Sequence, residues 1–261
     1  MTGLRTKRSG VSTARDSELA EFLGKAGVLT SKQIQTLAFS LDRYESCKRR
    51  LRKLHEYGYI KRLPRDSVSD PYLYHLPTRK FRITSLLEHT LGVNEVFVRV
   101  SRACHDLGFT LTRWDYPDVL QPLLSERTKL APDAYFQIQR MVDGQPRNSG
   151  FFLEYERTVR DSRVLIHKLT RYADLFHSGQ FRSLFGIRGM RVLVVYESAF
   201  NFPSTRRVSL GVAAARRIGV TLVRFSTLES IQGCSPSAML TTPIWSKPDE
   251  AEPVSLYELV E

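Results

Sequence analysis

Cysteine is scarce in this 261-residue chain: Cys47, Cys104 and Cys234 lie far apart, and no Cys-x-x-Cys pair occurs. An odd, scattered count excludes a disulfide framework and a cysteine zinc site, and it suits a reducing compartment, the cytoplasm. Long apolar runs are missing too. None approaches the roughly 18 residues of a membrane helix, and the N-terminus has no apolar signal core, so no membrane partner is expected. No internal repeat is visible.

What the chain does have is material for a core and an uneven charge. Hydrophobic residues make up 42% of it, enough for a packed interior at a length that allows two modest domains or one large one. The formal net charge is +12. Residues 1–80 hold 17 Lys/Arg against 8 Asp/Glu, a net of +9, which leaves +3 for the rest. Basic charge gathered in one third points to a polyanionic partner for that third. Residues 1–14, rich in Arg, Lys, Ser, Thr and Gly, read as a flexible basic arm.

Over residues 15–80 the periodicity predicts three helices and a hairpin. Leu19, Phe22, Leu23 and Ala26 recur at helical spacing, and Gly27 ends that helix. Thr30 or Ser31 caps a second helix with Ile34, Leu37 and Ala38 inward. A third covers residues 42–57, with Cys47, Leu51 and Leu54 inward and Arg43, Lys48, Arg49, Arg52 and Lys53 on another face. Gly58 stops it. Residues 59–63, carrying Lys61 and Arg62, and residues 72–76 then read as paired strands. This is the order of a winged helix-turn-helix, whose third helix enters the major groove and neutralises phosphates. Double-stranded DNA is the expected partner. The alternative is a solvated basic face on a fold used for protein contacts.

Residues 81–247 read as a second domain after a basic linker at 77–82. A helix over 84–107 has Leu86, Thr90, Val93, Phe97, Val100 and Cys104 as its inward stripe. A strand at 109–116 and an irregular loop at 117–131 follow. Strands at 133–139 and 151–158 flank a Gly/Pro/Asn turn. A helix over 162–177 turns Leu165, Leu169, Tyr172 and Phe176 inward. The apolar run 191–196 suits a central buried strand. A helix at 206–218, a strand at 220–225 and a loose acidic tail at 248–261 complete the chain. The class is α/β, with a mixed sheet flanked by helices.

The most chemically informative feature lies in this second part. Pro132-Asp133 opens one strand, and Glu154-Tyr155-Glu156 lies within the next. Side chains alternate along a strand, so Glu154 and Glu156 share a face. With Asp133 opposite, three carboxylates converge, and like charges so placed call for a cation. An all-oxygen set suits magnesium or manganese. Each candidate has a plainer alternative. Asp133 caps a strand end, Glu154 pairs with Arg157 or Arg191, Glu156 is the solvent end of its strand, and Lys168 is a surface lysine. His89 reads as a hydrogen-bonded helix residue, and Trp114 and Trp245 as core or domain contacts.

The element order, with Asp on one strand and Glu-x-Glu on the next, resembles the core of PD-(D/E)xK nucleases. That resemblance implies Mg2+ or Mn2+ held by Asp133 and Glu154, and a restriction-endonuclease-like fold. It also implies a lysine two residues after the Glu; here that position is Glu156. In some branches the lysine function moves to the following helix, which makes Lys168 the candidate, with Tyr172 one turn on. An acidic residue of the first core helix, Glu88 or Glu95, then completes the metal set. More closely, the chain is similar to the replication-relaxation family of plasmids and other mobile elements. The residues that carry this are His89 and Val93-Asn94, Pro132-Asp133, residues 152–158, residues 168–172, residues 191–196 and Pro243-Ile244-Trp245.

Two functions follow as expectations. One is a DNA-binding protein of a mobile element, acting in its replication, relaxation or mobilisation, whose second domain cuts DNA with metal assistance. Asp133, Glu154, Glu156 and Lys168 are its catalytic candidates, and Asp133, Glu154 and Glu88 its metal ligands. The other is a non-catalytic DNA-binding regulator or replication accessory protein with the same fold. Partners beyond DNA are other replication or mobilisation proteins and a second copy of the chain. Covalent nicking is disfavoured, because no histidine triplet stands beside a tyrosine.

Overall fold

Residues 13–39, 42–64, 67, 69–78, 86–158, 162–199 and 202–258 are described in a computed structural model of the chain. Most of the predicted basic arm, and the linker from residue 79, lie outside them. The chain divides into two units, Met1–Val98 and Arg99–Glu261. The predicted boundary near residue 80 therefore moves into the long helix.

The first unit contains α1 (Ala14–Ala26), β1 (Leu29–Thr30), α2 (Ser31–Ala38), α3 (Tyr44–Glu56), β2 (Lys61–Arg62), β3 (Leu73–His75) and the start of α4 (Leu87–Leu107). Thr13 and Thr30 each form a capping box, with Asp16 and Gln33 respectively, which satisfies backbone donors at both helix starts. Gly27 (φ 79°) and Gly58 (φ 80°) take up the left-handed backbone that ends α1 and follows α3. The core is the one the periodicity predicts: Leu19, Leu23, Ile34, Cys47, Leu51 and Leu54 are buried. The strands form an antiparallel sheet in the order β1-β3-β2. β1 is too short to show a period. Asn94 of α4 is fully buried and donates to the carbonyl oxygens of Val28 (2.6 Å) and Ala26 (3.2 Å).

The second unit adds β4 (Thr110–Asp115), α5 (Pro117–Thr128), β5 (Ala134–Val142), β6 (Gln145–Glu156), α6 (Ser162–His177), α7 (Gln180–Phe185), β7 (Gly189–Tyr196), α8 (Ser204–Arg217), β8 (Val223–Thr227), α9 (Leu228–Gly233) and α10 (Pro236–Thr241). The sheet order is β4-β5-β6-β7-β8. β4, β5 and β6 pair antiparallel, while β6, β7 and β8 pair parallel. This is the mixed sheet that the sequence predicts. β6 is its middle strand, and both of its edges are hydrogen-bonded. Alternation along β6 turns Phe152 to the face where Tyr172, Leu169, Phe181, Val192, Val194 and Phe225 form the main core. Two residues on, Glu154 faces the same way.

Several expectations are corrected. The loop at 117–131 is mostly helix α5: Pro117 occupies a first-turn position, where its missing N–H costs nothing. Leu120 and Leu124, four apart, are completely buried. Two prolines mask that signal, although Pro122 forfeits only one bond, to residue 118. The turn shrinks to Asp143-Gly144, both at positive φ (51° and 70°), so the strands run longer than predicted. Leu86 is 65% exposed rather than inward. On α6 the buried stripe is Leu169, Tyr172 and Leu175, and Phe176 is exposed. The tail is docked through residue 257: Trp245 pairs with Val254, and Leu256 and Tyr257 are buried.

Gly211 sets how closely α8 lies on the sheet. A Cβ there would stand 2.7 Å from the Phe225 ring and 2.9 Å from the Tyr196 hydroxyl. Gly211→Ala is therefore expected to destabilise the protein by about 1–3 kcal/mol, despite alanine's better helix propensity. A lower urea midpoint at unchanged slope would confirm it; a raised midpoint would show that the helix has room to move.

Candidate functional site

The site is built where β6 meets α6. Glu154 sits on the inward face of β6 and is only 2% exposed. A buried carboxylate needs partners, and α6 supplies two from one face, four residues apart. The Tyr172 hydroxyl donates to Glu154 Oε1 (2.5 Å), and the Lys168 ammonium donates to Glu154 Oε2 (2.7 Å). Lys168 also donates to Glu156 Oε1 (3.2 Å). The shared strand face predicted for Glu154 and Glu156 is thus used by one cation, the Lys168 ammonium.

Asp133 immediately precedes β5. Its amide donates to the Leu153 carbonyl (3.0 Å), and its Oδ2 accepts from the Tyr155 amide (2.7 Å). The carboxylate therefore fastens the start of β5 to β6. Its negative charge is also felt by Glu154.

Burial drives the electrostatics. Desolvation pushes the Glu154 carboxyl up to about 7, against the pull of the Lys168 charge and with a further push from Asp133. Burial also works against the Lys168 ammonium, but Glu154 and Glu156 outweigh it and hold its pKa above the ordinary value. Burial raises the Tyr172 hydroxyl strongly, and Glu154 adds to the rise, so Tyr172 remains a donor. The result is a carboxylate that titrates near neutrality beside a permanently charged lysine. Perturbed groups of this kind concentrate at functional sites.

The alternatives resolve residue by residue. Glu154 is paired with Lys168, whereas Arg157 instead donates to Glu197 (2.9 Å) and Arg191 lies over the Phe151 ring. Lys168 is largely buried, with 22% of its side chain exposed, and is not a surface lysine. Glu156 is half-buried. Glu88 is exposed in the first turn of α4, and Glu95 accepts from Gln33 (3.2 Å) within the first unit. Among the described residues no three His, Cys, Asp or Glu side chains are grouped to hold a metal ion. Trp114 and Trp245 are both buried.

One supporting residue escaped the sequence reading. Arg207, on the buried side of α8, is 5% exposed and donates to the carbonyl oxygens of Glu197 (2.6 Å), Thr158 (2.6 Å) and Arg157 (3.3 Å). It ties the chain leaving β6 to the chain leaving β7. Its signal was an arginine in register with Gly211 and Ala214-Ala215 on an otherwise small-residue helix face.

In the first unit all seven predicted DNA-contact residues are exposed: Arg43, Lys48, Arg49, Arg52 and Lys53 around α3, and Lys61 and Arg62 on β2. Lys48 is paired with Glu45 (2.6 Å), and Arg62 lies over the Tyr72 ring. Arg50, which the sequence reading left out of this face, turns inward and forks onto Asp16. Its guanidinium holds the Asp16 carboxyl down at about 2.

The family model for replication-relaxation proteins matches residues 21–82 and 78–187, well over half the chain. The chain belongs to the replication-relaxation family. The family match takes in α2, α3, Asp133, Glu154, Glu156 and Lys168. It stops short of residues 191–196 and Pro243-Ile244-Trp245, two further segments that carry the resemblance in the sequence. Among solved structures, the restriction endonuclease FokI bound to DNA is similar at 13% identity and a TM-score of 0.31, over 83% of this chain and 43% of that one. The chain thus spans less than half the length of that enzyme. No curated protein matches by sequence. Among the described residues no helix is long and apolar enough to cross a membrane.

Proposed function

We propose that this replication-relaxation protein binds double-stranded DNA of a plasmid or other mobile element through its first unit and cleaves DNA with its second. In this reading the first unit is a winged helix-turn-helix, with α3 as the groove-facing helix and β2–β3 as the wing. The exposed, basic outer face of α3 supports it. The second unit is a PD-(D/E)xK nuclease-like domain. The observation that carries this is the hydrogen-bonded set of Glu154, Glu156, Lys168 and Tyr172 beside Asp133, on the middle strand of a mixed sheet.

The donors suit Mg2+ or Mn2+. Asp133 and Glu154 offer hard oxygens on neighbouring strands, and Mg2+ commonly takes only one or two carboxylates, completing its shell with water and substrate phosphate. Such an ion, when bound, supplies a water of lowered pKa and offsets charge on the phosphate. Lys168 favours the ionised form of Glu154 and orients it, Tyr172 fixes its other oxygen, and Glu156 fixes Lys168. Lys168 thereby stands for the lysine that the superfamily pattern places at Glu156.

A second reading, a non-catalytic DNA-binding regulator or replication accessory protein, draws on that same departure at Glu156. Supercoiled plasmid carrying the element's own DNA, incubated with the protein and Mg2+ or Mn2+ beside an EDTA control, separates the two. Metal-dependent nicked or linear product supports the nuclease. Intact plasmid with tight, salt-sensitive binding supports the regulator.

Binding has its own test. Arg49→Ala/Arg52→Ala/Lys53→Ala should weaken affinity for duplex DNA and flatten the slope of log K against log salt by about 0.9 for each phosphate no longer neutralised. Unchanged affinity and slope would rule out docking through α3.

A further inference from the structure

A cavity of about 480 Å³ opens beside Lys168, between the end of α5 and α6. Lys129, His167, Lys168 and Arg171 line it, over an apolar floor that includes Leu130 and Val164. Among the described residues no acidic side chain lines it. Its volume lies within the range of small-molecule sites, and a charged rim over an apolar floor is the usual make-up of a site that orients an amphiphilic ligand. The cavity adjoins the carboxylates through two links. Lys168 forms one wall and bonds Glu154 and Glu156, and the lining segment 129–131 runs directly into Pro132-Asp133.

Two details indicate that the basic rim is held in place. The Arg171 guanidinium donates to the Lys129 carbonyl (3.2 Å), which ties that cation to the backbone at the end of α5. Lys129 caps α5 at φ 55°, a left-handed position where glycine is the relaxed choice. Lys129 itself lines the cavity, as does the exposed Val164. Asp174, the nearest acid along α6, lines a separate small cavity on the other side of Arg171.

We infer that this cavity seats one unpaired nucleotide of the DNA strand next to the bond being cut, its phosphate on Lys129, His167 and Arg171 and its sugar and base on the apolar floor. The inference deepens the nuclease reading and rests on it for the strand's direction into the carboxylates. It makes these three residues positioning residues, and it makes single-stranded or frayed DNA the substrate form that enters.

The test uses the full chain carrying Arg49→Ala/Arg52→Ala/Lys53→Ala, so that DNA binding by α3 is suppressed. A short fluorescent oligothymidylate is titrated in EDTA and followed by anisotropy at several salt concentrations. Adding Lys129→Gly and Arg171→Ala is expected to weaken binding by roughly tenfold at low salt and to flatten the salt slope by about 0.7, the value for one single-strand phosphate left without its cations. Arg171→Lys, which keeps the charge, should retain the slope; a fold defect would not discriminate in this way. Thymidine monophosphate should compete only at far higher concentration than the oligonucleotide. Affinity and slope unchanged in the Lys129→Gly/Arg171→Ala protein would overturn the inference. Equal competition by the mononucleotide would also overturn it, making this a free-nucleotide site. Because EDTA removes metal chemistry, a failed plasmid-nicking assay leaves this binding result standing. Normal nicking with unchanged oligonucleotide binding would remove the cavity and spare the nuclease.

Discussion

Glu154→Gln is expected to abolish metal-dependent nicking of supercoiled plasmid, by about 100-fold or more, while duplex binding stays unchanged. The magnitude follows from the role proposed for the residue. Charge stabilisation through a metal is worth several kcal/mol, and each 1.4 kcal/mol is about tenfold in rate. Gln keeps the shape of the side chain but turns one acceptor into a donor. The amide oxygen can still accept from Lys168, but the bond that the wild-type carboxylate accepts from Tyr172 must then reverse, and the negative charge is gone. Binding is insulated, because the proposed duplex-contact residues belong to the other unit. Gel quantification of nicked product beside a duplex titration decides it. A variant that nicks at the wild-type rate would remove Glu154 from the reaction and leave the buried set as architecture.

Lys168→Met should cost about 3 kcal/mol of stability at pH 8, and clearly less at pH 5. Removing one partner of a buried pair strands the other charge, and here two carboxylates share the one ammonium. The pH dependence follows from Glu154. Its carboxyl is raised from an ordinary 4.5 to about 7, chiefly by burial, so between these values the folded chain keeps a proton that the unfolded chain releases. Wild-type stability contributed by this group is therefore fully present below about pH 4.5 and is lost as pH rises towards 7, on the order of 3 kcal/mol in all. Lys168 opposes that loss by favouring the ionised form. Without it the window extends further upward, and the variant falls away from wild type most where Glu154 should be ionised. Both tryptophans, Trp114 and Trp245, are buried in the second unit, so urea unfolding followed by tryptophan fluorescence at the two pH values reports on it. An equal penalty at pH 5 and pH 8 would mean that Lys168 contributes packing rather than charge.

Much of the organisation was already legible in the sequence, because it depends on periods that operate over a few residues. The 3.6-residue repeat placed Cys47, Leu51 and Leu54 on one side of α3 and left Arg49, Arg52 and Lys53 outside. The two-residue repeat put Glu154 and Glu156 on one face of β6, and Gly27 and Gly58 marked helix ends through the left-handed backbone they adopt. The mixed α/β class, and the placing of Asp133 beside the strand that carries Glu154, followed from the order of those elements.

What only the tertiary structure decided depends on distance through space. No local pattern says that Lys168 and Tyr172 close on the two oxygens of Glu154. That requires α6 to pack on β6 at one particular height, set by Leu169, Phe152 and the rings around them. The same packing selected Arg50 as the partner of Asp16 rather than a member of the basic face, and drew Arg207 inward to hold three carbonyl oxygens. It also made a helix of α5, whose prolines look like breakers until Leu120 and Leu124 find a core to enter. Charge, period and turn chemistry settle which residues are available to a site. Burial settles which of them meet, since removal from water is what makes each carboxylate need its cation.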